Sequence, residues 1–190
     1  LIPTAAGWYF SPIDPHMHHQ SSPPLIIVEP VLKSDTSTTV YTTITGGENV
    51  TFMATLEGEL HQGSTQAPLL MSGLVSMNIM NGGSSPGTFD IEILSMDLSG
   101  VHPYDPSAVF MFRETPAPAS AGQTTVTDLG GGLYEIDSFF DIFTSISEDG
   151  GATWTDSNDA TYMELAVPEP TTVALLSLGF LMFIHKRPFK

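Results

Sequence analysis

The chain has no cysteine. That excludes disulfides, thiolate metal sites and a cysteine nucleophile. Positive charge is almost as scarce, with five Lys and Arg residues against 21 Asp and Glu. Three of the five, Lys186, Arg187 and Lys190, fall at the extreme C-terminus. Residues 1–166 therefore hold only Lys33 and Arg113 against twenty acidic side chains, a formal charge of −18. Nucleic acid is excluded as a partner, because phosphate contacts need lysine and arginine that this surface lacks. Such acidity suits solubility outside the cell, attraction of divalent cations and repulsion of other acidic polymers. Helical periodicity is also missing before residue 167, so no amphipathic helix is expected there.

What is present reads as β-structure. Segments 40–45, 50–56, 74–80, 89–94, 109–112, 124–127, 133–137 and 140–143 are β-branched or alternate apolar with polar residues, as strands do. Gly46-Gly47, Asn81-Gly82-Gly83, Ser84-Ser85-Pro86-Gly87 and Gly130-Gly131-Gly132 supply turn signals between them. Short strands with glycine-rich turns predict an all-β fold, an antiparallel β-sandwich of jelly-roll or Ig-like type, followed by a single C-terminal hydrophobic helix. The expected organisation is an N-terminal segment and Pro/His-rich linker over 1–24, a sandwich domain over 25–166 and a tail over 167–190.

Within the linker, Asp14, His16, His18 and His19 are the densest group of metal-ligand side chains in the chain. Imidazole and carboxylate suit Zn²⁺ or Cu²⁺, but a closed site needs fixed geometry, and the surrounding prolines and serines favour a solvated linker. No metal site is assigned. Asp156, Asn158 and Asp159 offer oxygens suited to Ca²⁺, with Asx turns as the alternative, and EF-hand spacing is absent. Paired carboxylates such as Glu57 with Glu59, Asp90 with Glu92 and Asp137 with Asp141 fit the solvent face of a half-exposed sheet better than a glycosidase. His61 and His102 lie in no nucleophile motif. No catalytic residue is assigned, and the chain is not expected to be an enzyme.

Ser147, Asp149, Gly151, Thr153 and Trp154 fit the Asp-box pattern Ser-x-Asp-x-Gly-x-Thr-Trp, which resembles the hairpin turns of sialidases and other β-propellers. Physically it is a turn device: short polar side chains bond the turn backbone, glycine takes positive φ and tryptophan buries a large ring. Sialidases use an arginine triad, whereas residues 1–166 contain Arg113 alone. A structural turn is therefore expected.

The C-terminus combines three features in order. Val167, Pro168, Glu169 and Pro170 form a stiff extended segment, because both prolines fix φ and lack N–H donors. Residues 171–184 are apolar or small without a charge, about 21 Å as a helix, which is shorter than the usual span of about 20 residues. Lys186, Arg187 and Lys190 follow and would stop the tail in the membrane with its basic end cytoplasmic.

This arrangement resembles the PEP-CTERM sorting signal of Gram-negative bacteria. The resemblance implies recognition of Pro168-Glu169-Pro170 by exosortase, an integral-membrane protease-transpeptidase, and export in settings linked to exopolysaccharide and biofilm. The basic end departs from the usual arginine run through Pro188 and Phe189. A further stretch, residues 87–165, is similar to a module of secreted bacterial proteins that carries no transferable activity. Thr4-Ala5-Ala6 resembles the end of a signal-peptide cleavage site, so a leader is expected upstream. The expected function is that of an exported cell-surface or extracellular-matrix protein, held transiently at the inner membrane and cleaved by exosortase. A secreted carbohydrate- or calcium-binding module is the alternative.

Overall fold

The computed structural model describes residues 8–14, 16–81 and 86–166, apart from the side chains of residues 36–38. Twelve strands make up the described chain: β1 Trp8–Phe10, β2 His16–His19, β3 Leu25–Ile44, β4 Gly47–Gln62, β5 Thr65–Met80, β6 Gly87–His102, β7 Asp105–Glu114, β8 Ala121–Gly130, β9 Leu133–Ile142, β10 Thr144–Ser147, β11 Thr155–Asp156 and β12 Thr161–Ala166. All pairings are antiparallel. No helix occurs among the described residues, and the expected helix over 171–184 lies outside them.

The expected pair of facing sheets is corrected to one sheet closed on itself. Strand order runs β6-β5-β4-β3-β1-β12-β9-β8, and β8 pairs back onto β6, an eight-stranded antiparallel barrel with extra strands. Closure follows from strand length: β4, β5 and β6 run 16 residues each, long enough for β6 to hold two partners along one edge. Its first part pairs with β8 from Gly87↔Val126 to Glu92↔Ala121, and its second part pairs with β7 from Asp97↔Arg113 to Val101↔Val109.

The extra strands fall into place as staves made of two pieces. β7 and β8 run successively along β6, β9 and β10 run successively along them, and β11 with β12 and β1 with β2 do the same. An isolated bridge, His19↔Ser157, joins β2 to the β11 side. Each stave thus neighbours the one before it in sequence, with the last closing on the first. The molecule has a continuous wall, β3 to β6, and an interrupted wall whose four staves break near residues 11–14, 115–120, 143 and 157–160.

Alternation fills the interior. Val50, Phe52, Ala54, Leu56 and Leu60 of β4 point inward with Leu69, Met71, Val75, Met77 and Ile79 of β5, meeting Phe110, Phe112, Phe140, Ile142 and Met163 from the opposite wall. Strand residues two apart share a face, which is why each wall needs only every second position to be apolar. Charged side chains such as Glu59, Asp90 and Asp137 lie outside. The polarity is the reverse of a porin, whose lumen is polar.

At the breaks the ladder fails to satisfy backbone donors, and buried hydroxyls take over. Phe143 N–H donates to Ser120 Oγ at 3.0 Å, and Thr144 N–H donates to Ser157 Oγ at 3.2 Å. Thr115 and Ser145 hydroxyls lie 3.2 Å apart, and Ser145 donates to Asp156 Oδ1 at 2.7 Å. Ser120, Thr144 and Ser145 are fully buried, and an unpaired buried backbone group would cost about as much as a lost hydrogen bond. The Glu114 carboxyl accepts from Ser120 N–H at 3.0 Å, and burial pushes its pKa up against that bond.

Candidate functional site

The seam between the first and last staves opens in its middle. Trp8↔Ala166, Tyr9↔Leu165 and Phe10↔Glu164 pair at one end. At the other end His19 bridges Ser157, and Asn158 N–H donates to His18 O at 2.8 Å. Between these points the two staves part, leaving a groove of about 240 Å³ lined by residues that include Asp14, His16, His18, Asp159 and Tyr162.

Local structure aims the histidines into it. The stretch read from composition as linker contributes a strand here: His16↔Val28, Met17↔Ile27, His18↔Ile26 and His19↔Leu25 pair β2 with β3. Met17 and His19 are buried, so His16 and His18 take the outer face. Their rings lie 5.7 Å apart. Asp14 stands just before the strand, its carbonyl accepting from Ser11 Oγ at 2.6 Å, and its Oδ1 lies 2.9 Å from His16 Nδ1. One ligand atom from each of Asp14, His16 and His18 falls within 4.8 Å of the others.

His19, on the opposite face of the same strand, is a different kind of residue. Its Nε2 lies 3.1 Å from Thr144 Oγ1, while Nδ1 has no partner. Burial is the main cause that drives its pKa from 6.5 down to about 4, with the Met17 backbone and then Asp156 pulling the other way. The ring is therefore neutral at pH 7 and belongs to the hydroxyl belt of the interrupted wall.

The Asp-box residues form a turn closed by their own side chains and tied to β7 by the Gly150 N–H, which donates to Val109 O at 3.2 Å. Ser147 Oγ accepts from Gly151 N–H at 2.8 Å and donates to Asp149 Oδ1 at 2.7 Å. Asp149 accepts from Thr153 N–H at 2.8 Å and Thr153 Oγ1 at 2.6 Å. The hydrogen bonds from Thr153, then that from Ser147, hold the Asp149 carboxyl down at about 2. Trp154 Nε1–H donates to Gly151 O at 3.1 Å, and the Arg113 guanidinium stacks 3.8 Å from the Trp154 ring centre. With the arginine spent on that ring, the turn has no anion-binding side chain.

The remaining candidates stay apart. Glu57 pairs with Lys33, Glu59 lies 3.2 Å from His61, and Asp90 accepts from Gln123 at 3.0 Å. His102 Nδ1 accepts from the backbone N–H of Tyr104 and Asp105, which leaves Nε2 as the donor to Glu148 at 3.3 Å. Asp156 is engaged by Ser145, whereas Asp159 lines the histidine groove. The sorting-signal residues Val167, Pro168, Glu169 and Pro170 and the basic residues Lys186, Arg187 and Lys190 lie outside the described residues, as does Thr4-Ala5-Ala6. Sequence reasoning missed the groove because Asp159 sits over 140 positions from His16. The His-x-His spacing was the only local signal. No family model, curated protein or solved structure matches the chain.

Proposed function

We propose that this is an exported cell-surface or extracellular-matrix protein, a rigid acidic barrel delivered by a C-terminal sorting signal that exosortase cleaves. The observation that carries the reading is the ordered tail: Val167-Pro168-Glu169-Pro170, the apolar residues 171–184, then Lys186 and Arg187. Barrel anatomy supports it. The last described strand ends at Ala166, paired with Trp8, so cleavage at the signature or beyond it would remove none of the described strands. A module that must survive loss of its tail needs a fold complete without it.

The acidic exterior supports a place outside the cell, where charge keeps the protein soluble and repels acidic polymers until cations bridge them. Exopolysaccharide is the partner class this reading favours, with exosortase and the inner membrane met in transit.

The test is intact mass and fractionation of the full chain in a host with and without its cognate exosortase. Loss of the tail only when the enzyme is present supports the proposal. Persistence of the full mass in the inner membrane under both conditions would make the tail a plain anchor. Replacing Glu169 and both prolines should leave export intact and trap the uncleaved form.

A further inference from the structure

We propose that the groove in the barrel seam is a Zn²⁺ site, with Asp14, His16 and His18 as ligands and the fourth position taken by Asp159 or water. The proposal stands on geometry at the seam and is independent of the sorting signal.

Ligand chemistry comes first. Two imidazoles and a carboxylate match the nitrogen–oxygen sets that hold Zn²⁺ with bonds of about 2.0–2.1 Å. Tetrahedral placement at that bond length sets ligand atoms roughly 3.3 Å apart. The 2.9 Å separation of His16 Nδ1 from Asp14 Oδ1 is close to that spacing, and the ligand atoms of all three residues fall within 4.8 Å. Modest rotations of exposed or half-buried side chains close the remainder.

Rigidity is the requirement that composition alone left unmet. Here the backbone meets it from two sides. The β2–β3 ladder fixes His16 and His18 on one face, and Asn158 N–H bonding to His18 O locks the neighbouring stave, which carries Asp159 to the same groove. Ser11 pins the Asp14 carbonyl. Backbone anchoring of this kind orients ligands as outer-shell partners do.

Electrostatics point the same way. Residues 1–166 hold only two basic side chains, Lys33 and Arg113. Lys33 pairs with Glu57, and Arg113 lies on Trp154. Among the described residues no ammonium or guanidinium therefore competes for the groove, and the net negative field of residues 1–166 concentrates cations at it. Imidazole nitrogens select a borderline-soft transition ion over Ca²⁺, which takes six to eight oxygens.

The experiment is calorimetric titration of the full chain in detergent with ZnCl₂, repeated with Ca²⁺, together with Co²⁺ visible absorption as a report on coordination number. One equivalent of Zn²⁺ should bind, Co²⁺ should give a four-coordinate spectrum, and Ca²⁺ should not compete at equal concentration. In H16Q/H18Q the Kd should rise by more than the roughly 10- to 100-fold that loss of an outer-shell partner costs. D14N changes no ladder residue, so it tests the set without risk to folding, and its Kd should rise at least tenfold. Zn²⁺ should also raise the thermal midpoint of the parent chain and not that of H16Q/H18Q, since a ligand of the native state stabilises it. Unchanged affinity in either variant, displacement by equimolar Ca²⁺, or no saturable binding by the parent would overturn the proposal.

Discussion

The two walls of the barrel solve the same problem differently. In the continuous wall β4, β5 and β6 run unbroken for 16 residues apiece, and their ladders pair most backbone groups, with local register shifts at Ser76/Met77, Val28/Val31 and Asp35/Val40. The buried side chains of these three strands are apolar apart from Glu48 and His102 near strand ends, with glycines such as Gly73 where strands crowd. The interrupted wall breaks each of its staves at about the same level. There Ser120 is buried as a partner of the Phe143 backbone, and Thr144, Ser145 and His19 are buried in side-chain hydrogen bonds that bridge the staves. A break also opens the seam in which His16 and His18 face Asp159. Continuity yields a scaffold, and interruption opens the groove that carries the proposed zinc site.

The sharpest way to break that comparison is to crowd both walls alike. A Cβ at Gly73 would collide with the carbonyl of Asp97, and one at Gly122 with the carbonyl of Phe139. Both glycines are paired on two sides, Gly73 by β4 and β6 and Gly122 by β6 and β9, but Gly122 is the second residue of β8, next to the 115–120 break. Gly73→Val is expected to cost more than about 3 kcal/mol and Gly122→Val about 1–3 kcal/mol, read from urea midpoints of the two variants. Equal losses would mean the breaks confer no tolerance.

A cavity in the continuous wall comes next. Leu56 is buried in β4, and Leu56→Ala should lower stability by about 2–5 kcal/mol, independent of pH between 4 and 8. On the interrupted wall Thr144→Val removes the hydroxyl facing His19 and should cost about 1–3 kcal/mol. Here pH matters. The folded pKa of His19 lies at about 4, below its ordinary 6.5, so the unfolded chain takes up a proton first as pH falls. Stability present above 6.5 should be lost between 6.5 and about 4, at up to roughly 1.4 kcal/mol per unit. Denaturant curves across that window should show the slope in the parent and lose it in His19→Leu.

The smallest effect is at the Asp-box turn. Asp149 is depressed to about 2, so the stability it contributes is present above its ordinary 3.8 and lost as pH falls through that window. Asp149→Asn should flatten the acid limb between those values by removing the stability present at neutral pH, with little change at pH 2, which thermal melts from pH 2 to 7 would record.

How much of this was legible follows the same division. The alternation of 50–56 and 74–80 placed β4 and β5 correctly in class, because one buried face leaves a period of two. Closure into a barrel was not legible, since it depends on β6 pairing with β8 through one half and β7 through the other, a matter of length and register. The His-rich stretch read as linker because prolines and serines surround it. Its order comes from pairing with Leu25–Val28 and with Ser157, partners that composition does not announce. The Asp-box pattern was legible because the hydrogen bonds among Ser147, Asp149, Gly151, Thr153 and Trp154 are local.

The seam has a mechanical consequence. Trp8 and Ala166 face each other at one end of an antiparallel pair. A load applied between those two residues would separate the staves like a zipper, one cross-strand pair after another, instead of shearing all of them at once. Resistance would rise at the Asn158–His18 hydrogen bond and the His19–Ser157 bridge. Under tension the barrel would therefore open from its Trp8 end and arrest halfway, at the histidine groove.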